Sequence, residues 1–350
     1  EGEQRPGVEY TVDQKVEAAR ELDRLGADFL QIGFPVAGER TRRVCERLDT
    51  DADVTGLARA IPSDVEAALD AGVDVVDLFA PTSDKQLEAV LGSARESMVE
   101  SVAEAADLAR EGGADVHLTA MDGFRTEPGH LDDLFAAVDA DWYTVADTVG
   151  SRTPAGVQQF LGDLDTDLGS VGVHFHEDLG VGTANALAAG RAGAGKVDVS
   201  VGGIGERAGN TATEEFVAAA AVGAEPIDLA VDEESLLPVA RRVLDALDED
   251  VSPTKPLLGG EVFSHESGLH TAAMLDEPST FEPFDPARFG GERRLLFGGS
   301  TGAGAARKLL ERAGREPTDD RVEALLARLG ELDEEVGVDE AVELAGDVDA

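Results

Sequence analysis

From its start to about residue 225 the chain alternates between short β-branched or apolar runs and amphipathic stretches of helical period. The runs fall at 28–34, 53–59, 73–79, 115–120, 142–146, 171–176 and 197–201. Strands separated by helix-length segments are joined by crossovers rather than hairpins, and crossovers make a parallel sheet. Between the runs, "TVDQKVEAARELDRLG" and "SDVEAALDAG" carry the helical period, the second opening on Ser63 as a candidate N-cap and closing on Gly72. The sequence opens without methionine on what reads as a loop, "EGEQRPGVEYT". One further strand before Glu1 would bring the count to eight, so the expected fold is an α/β (β/α)8 TIM barrel with its first strand truncated. A doubly wound open sheet is the alternative, but no Gly-x-Gly-x-x-Gly follows an early strand.

The rhythm stops near residue 225. The remainder reads as helices joined by Gly- and Pro-rich loops, including "LLGGEVFSHESGLH" and "RLLFGGSTGAGAARKLL". Two domains are therefore expected, a barrel over 1–225 and a mainly helical region over 226–350.

Charge narrows the class of partner. The chain has 72 acidic and 29 basic residues, a net −43, with lysine only at 15, 85, 196, 255 and 308. Such a surface repels phosphate backbones and anionic membranes, which excludes nucleic acid and membrane surfaces as partners. With 42% hydrophobic residues spread evenly, the chain is a folded protein adapted to high salt rather than an acidic disordered one. The single cysteine, Cys45, excludes an internal disulfide and points to a reducing, cytoplasmic setting. The longest apolar run, 216–224, is too short to span a bilayer, and no signal peptide is visible.

In "GVHFHEDLG", His174 and His176 lie two residues apart at a strand end and so project to the same face. That is the spacing of a metal site, although two half-buried histidines with ordinary hydrogen bonds share it. The neighbourhood favours the metal. Function in a barrel gathers at the C-terminal strand ends, and the unusual polar residues keep that register. "EGEQ", "GFP", Arg59, "PTSD", "MDGFR", "DTVG", "HFHED" and "GGIGERAGN" follow or end the eight expected strands in order.

Taken together, "EGEQRPGV", "IGFP", "DTVGSRTP", "HFHEDLGVGTANALAAGRAGA", "GGIGERAGN" and "FSHESGLH" resemble the metal-dependent acyl-CoA-condensing enzymes that include 2-isopropylmalate, citramalate and homocitrate synthases. The likeness runs from residue 1 to about 315. It implies a divalent metal (Zn, Mn, Mg or Co) held by Glu1, His174 and His176, with open positions for a bidentate 2-oxo acid. It implies that Gln4, Arg59, His117, Asp122, Arg125 and Thr148 contact the 2-oxo acid, although a threonine ending a strand also satisfies its neighbours. Gly203, Gly205, Glu206 and Asn210 are implied at the acetyl-CoA thioester. His270 matches a base contributed across a homodimer interface, with Glu266 orienting it; loop packing is the alternative for His265 and His270. Residues 226–350 would then supply the dimer contact and a lid.

The sequence departs from the family pattern at four places. Gly202 replaces an asparagine, Phe281 a tyrosine and Gln31 a glutamate, while "GGSTG" at 298–302 lacks a usual lysine and histidine. The arginine that family members place before the first-strand carboxylate would precede Glu1. Glu1 and the chain length favour the homocitrate branch; His117, where an arginine would grip a second carboxylate, and "PTSD" favour the isopropylmalate and citramalate branches. Homocitrate synthase-like activity ranks first. A hydroxymethylglutaryl-CoA lyase, which would need a cysteine in a late glycine-rich loop, and a non-catalytic paralogue are the competing readings.

Overall fold

The computed structural model describes residues 2–349. The chain forms two compact units that divide between Asp250 and Val251.

The first unit contains seven parallel strands, β1 (Phe29–Gly33), β2 (Asp53–Arg59), β3 (Val75–Pro81), β4 (Asp115–Met121), β5 (Trp142–Asp147), β6 (Val171–Phe175) and β7 (Lys196–Val197), hydrogen-bonded in sequential order. They make a curled half-barrel with helices on its outer face. The eighth strand expected ahead of Glu1 falls outside the sequence given. β-strand alternation explains the two faces. Val76, Leu78 and Ala80 of β3 join the core shared with helix residues Val65, Val102 and Ala105, whereas Asp77 between them bonds Thr119 of β4 and Gln31 of β1 across the inner face.

Local chemistry sets the element ends. The helix Val12–Leu25 starts at a reciprocal capping box of Thr11 and Gln14 and stops at Gly26, whose φ of 93° suits glycine. The helix Pro62–Ala71 starts two residues earlier than the Ser63 cap predicted, because Pro62 takes the first helical position and Ile61 becomes the N-cap. β7 is shorter than 197–201. Beyond Val197 the Ser200 backbone instead exchanges hydrogen bonds with Thr211 and Thr213, and Gly202 and Gly203 turn left-handed.

The unit boundary lies beyond residue 225. The amphipathic helix Leu236–Leu247 buries seven residues, from Leu236 to Leu247, and packs on Val12–Leu25. At its end Glu249 receives hydrogen bonds from Arg5 and, at 2.6 Å, from Tyr10. The second unit packs the helices Ala303–Arg312, Asp319–Gly330 and Val338–Gly346 around Phe297, Leu309, Leu325 and Leu329, with a small parallel pair, β8 (Ser264–His265) and β9 (Arg294–Leu295). Among the described residues no helix is long and apolar enough to cross a membrane.

Candidate active site

β6 delivers both histidines to one face. Their rings meet edge to face with centroids 4.9 Å apart. The Nδ1 of His176 lies 3.2 Å from the backbone carbonyl of Asp147 at the end of β5. A carbonyl only accepts, so Nδ1 is the donor in that contact. Asp198 Oδ2 lies 3.4 Å from His174 Nδ1, and Glu206 Oε1 lies 3.5 Å from His176 Nε2. Oxygen acceptors against Nδ1, as the Asp147 carbonyl and Asp198 are, orient imidazoles that ligate a metal through the other nitrogen.

Below the imidazoles the inner face is polar. Gly172, without a side chain, lets Lys196 cross β6 and donate to Thr144 Oγ1 at 3.1 Å, while Asp198 sits 3.3 Å away. Burial opposes ionisation of Asp198, but Lys196 and His174 outweigh it and hold the carboxyl well below the ordinary range. Asp77 is fully enclosed, and burial pushes its pKa up to about 6 despite Lys196. His117 is 1% exposed, edge-on to Phe29; burial, then Lys196, bring its pKa down to about 3, so it is neutral.

The other predicted contacts divide. Thr148, one residue past β5, adjoins the imidazole pair through Asp147. Gln4 is exposed in the turn Gly2–Gln4. Arg59 pairs with buried Asp64, at 2.6 and 2.9 Å, at the start of the next helix. Asp122 is 1% exposed and its carboxylate is engaged by Arg125, at 2.7 and 2.6 Å, and by Ser83 at 2.5 Å. Arg125 lines a cavity of about 240 Å³ with Arg152, Gln159 and Phe160, away from the imidazoles. The predicted metal ligand Glu1 lies outside the described residues.

The glycine-rich loop after β7 is a compact turn. The Asn210 amide donates to the Gly203 carbonyl and pairs its backbone with His176. A Cβ on Gly205 would meet Asn210 Oδ1 at 2.2 Å, so that glycine is required by close approach. Glu206, expected at the thioester, turns its carboxylate toward His176 and Arg207. Three residues with no role assigned from sequence tie these loops together. Arg207 grips Asp178 with two bonds of 2.9 Å and donates at 2.8 Å to the Thr148 carbonyl, and Ser83 holds Asp122. Asp178 and Arg207 stand inside the motifs "HFHEDLG" and "GGIGERAGN"; their pairing depends on chain crossing that no spacing reveals.

In the second unit, Phe281 stacks on His270 with centroids 3.9 Å apart. Glu266 is exposed, and the carboxylate set beside a histidine is Glu282, 3.6 Å from His265 and clasped by Arg293.

The HMGL-like family profile matches residues 1–243, and a "Homocitrate synthase post-HMGL domain-like" profile matches 257–336. The chain belongs to the HMGL-like family. Homocitrate synthase AksA of Methanopyrus kandleri is 40% identical over 95% of this chain and 85% of its own. A second protein of that organism, named "Probable 2-isopropylmalate synthase", is 39% identical over 95% of this chain and 68% of its own. The Bacillus subtilis HMG-CoA lyase structure superposes with a TM-score of 0.62 at 21% identity, covering 71% of this chain and 91% of that one, and shares the fold.

Among the described residues no three His, Cys, Asp or Glu side chains form a ligand set. The donor chemistry that is present nevertheless fits a divalent cation in this HMGL-like barrel: two adjacent imidazoles, with carboxylates beside them.

Proposed function

We propose that the chain condenses acetyl-CoA with a 2-oxo acid and hydrolyses the thioester. The observation that carries this reading is the imidazole pair of His174 and His176, side by side at the C-terminal strand ends, with His176 against the carbonyl of Asp147, the residue before Thr148. His174, His176 and Glu1 would hold a divalent metal, which when bound supplies Lewis acidity toward a keto oxygen. Thr148 would donate its hydroxyl to the substrate carboxylate. Gly203 and Gly205 would let their loop approach a thioester closely, and the Asn210 backbone amide, donating to the Gly203 carbonyl, fixes that loop. His270 would take the methyl proton of acetyl-CoA, the step that makes it a carbon nucleophile.

A homodimer is part of this proposal. The aliphatic residues Val36, Ile61, Val90, Leu91, Leu179 and Val199 stand exposed in the segments that follow β1, β2, β3, β6 and β7. In the second unit, Leu269 is 74% exposed and Phe281 37%, flanking His270. Apolar surface on both supports docking of the partner subunit's second unit over the barrel, as a lid that brings His270.

As to the 2-oxo acid, the homocitrate reading has the support of the 40% identity to a homocitrate synthase. The isopropylmalate or citramalate reading is favoured by the inner face itself. His117 is neutral, and Lys196 is already matched by Asp198 with Asp77 close by, so neither offers a free cation to a second substrate carboxylate.

The test is thiol release from acetyl-CoA by the full natural chain, in molar KCl with Mn²⁺, against pyruvate, 2-oxoisovalerate and 2-oxoglutarate. Release that depends on a 2-oxo acid is expected, and its preferred acid separates the branches. Cleavage of hydroxymethylglutaryl-CoA instead would establish a lyase, and no turnover of either kind would establish a non-catalytic paralogue. Mixing inactive His174→Ala and His270→Ala chains should restore activity; failure after verified subunit exchange would remove the shared-site dimer.

A further inference from the structure

Asp122 holds an unusual backbone conformation, φ 58° and ψ 26°, in the left-handed region. Aspartate tolerates that region better than most residues, yet it persists only where the surroundings enforce it. Here the enforcement is visible. The carboxylate is buried and fixed by two Arg125 bonds and by Ser83 from the loop after β3. Nothing in this arrangement leaves the carboxylate for a substrate. Its consequence lies in the main chain: the Asp122 N–H points at Thr148 Oγ1, 2.8 Å away. The other side of Thr148 is secured as well, because its carbonyl accepts from Arg207, itself gripped by Asp178.

A threonine hydroxyl has one hydrogen to give. When a fixed amide fills one acceptor position, the hydroxyl is oriented, and its own proton remains for donation. We propose that Asp122 is a positioning residue: its left-handed backbone aims its amide at Thr148 and so commits the Thr148 hydroxyl to donate to the carboxylate of the 2-oxo acid. This rests on the reading of Thr148 as the substrate-carboxylate contact. The carboxylate of Asp122 acts only as the lock that keeps the backbone in place.

The distinction between backbone and side chain can be measured. Calorimetric titration of the full chain with pyruvate, 2-oxoisovalerate and 2-oxoglutarate, in molar KCl with Mn²⁺, gives the dissociation constant of the tightest-binding acid. Thr148→Val should weaken it about tenfold, the scale of one hydrogen bond to a charged group. Asp122→Ala should weaken it comparably, and the double variant Asp122→Ala/Thr148→Val should be no weaker than the worse single one. Glycine adopts positive φ freely, so Asp122→Gly should bind at least threefold more tightly than Asp122→Ala. Acetyl-CoA affinity should be unchanged throughout.

Equal losses in the glycine and alanine variants, or multiplying losses in the double variant, would overturn the positioning role while leaving Thr148 as the contact. If Asp122→Ala does not fold, Ser83→Ala replaces it in the same double-variant comparison: a double variant no weaker than the worse single one upholds the role, and multiplying losses overturn it. A Thr148→Val chain that binds like the parent, or a parent that binds none of the three acids, would sink the reading of Thr148 itself and the proposal with it.

Discussion

His117 sits on the inner face where a charged imidazolium would have neither water nor an anion of its own. Burial and the neighbouring Lys196 bring its pKa down to about 3. An unfolded chain restores it to about 6.5, so below that pH the unfolded state binds a proton that the folded state does not. The stability that neutral His117 permits is therefore complete above pH 6.5 and is lost as pH falls toward 3, at up to about 1.4 kcal/mol per pH unit. His117→Gln should flatten the slope of unfolding free energy between pH 6.5 and 5.5 by about that amount, measured by denaturant titration in molar KCl. Identical slopes would mean the imidazole is not held neutral. His174 and His176 make the opposite demand, for a ligand rather than for shelter. His174→Ala or His176→Ala should strip bound divalent metal from the purified protein while the far-ultraviolet circular dichroism stays that of the parent. Metal content equal to the parent's would dismiss the pair as ligands. That the two imidazoles share one face was legible from spacing, because period-two geometry is local. The Arg207–Asp178 clamp and the Asp122–Thr148 contact were not, because each joins residues from different βα loops that only the curled sheet brings together.

At the scale of elements, strands buried on both faces advertise themselves as apolar runs, and β2 has the range predicted, 53–59. Where the sequence misled, backbone pairing was the cause. The run at 197–201 is apolar enough for a strand, but after Asp198, which still bonds Val173 of β6, its partner is the returning segment at 211–213 rather than a neighbouring strand. The helix Leu236–Leu247 lay past the point where strand rhythm ended, and only its packing on Val12–Leu25 assigns it to the first unit. The returning segment depends on Gly209, with φ 98° and an imaginary Cβ 2.1 Å from the Gly203 carbonyl oxygen. Gly209→Ala must break either that turn or the backbone pair of His176 with Asn210, at a cost of about 2 kcal/mol or more. Its denaturation midpoint should fall well below that of Gly129→Ala, where a Cβ meets nothing within 4 Å and φ is ordinary. Equal midpoints would show that the turn gives way without cost.

For the molecule as a whole, packing and charge pull in opposite directions. The first unit buries a continuous apolar core from Val12 to Phe216, and the second has its own around Leu309 and Leu325. Around them the chain carries 72 acidic and 29 basic residues, only a few of which are buried. Even if every basic side chain found an acid, as Arg47 does with Asp13 and Arg307 with Asp319, the excess would remain. Those pairs are exposed and each contributes about 1 kcal/mol or less, so weakening them with salt costs little. The unpaired carboxylates repel one another across the whole surface, and that repulsion is relieved on unfolding as the charges move apart. At 0.01 M salt the Debye length is about 30 Å and most of the surface interacts; at 1 M it is about 3 Å and only immediate neighbours do. The melting temperature should therefore climb steeply with KCl and level off once screening is complete. Screening depends on ionic strength rather than on the identity of the cation, so NaCl at equal concentration should trace nearly the same early rise. A melting temperature flat from dilute buffer to molar salt would mean the acidic excess is already neutralised within the fold, and would remove high-salt adaptation as the reason for this composition.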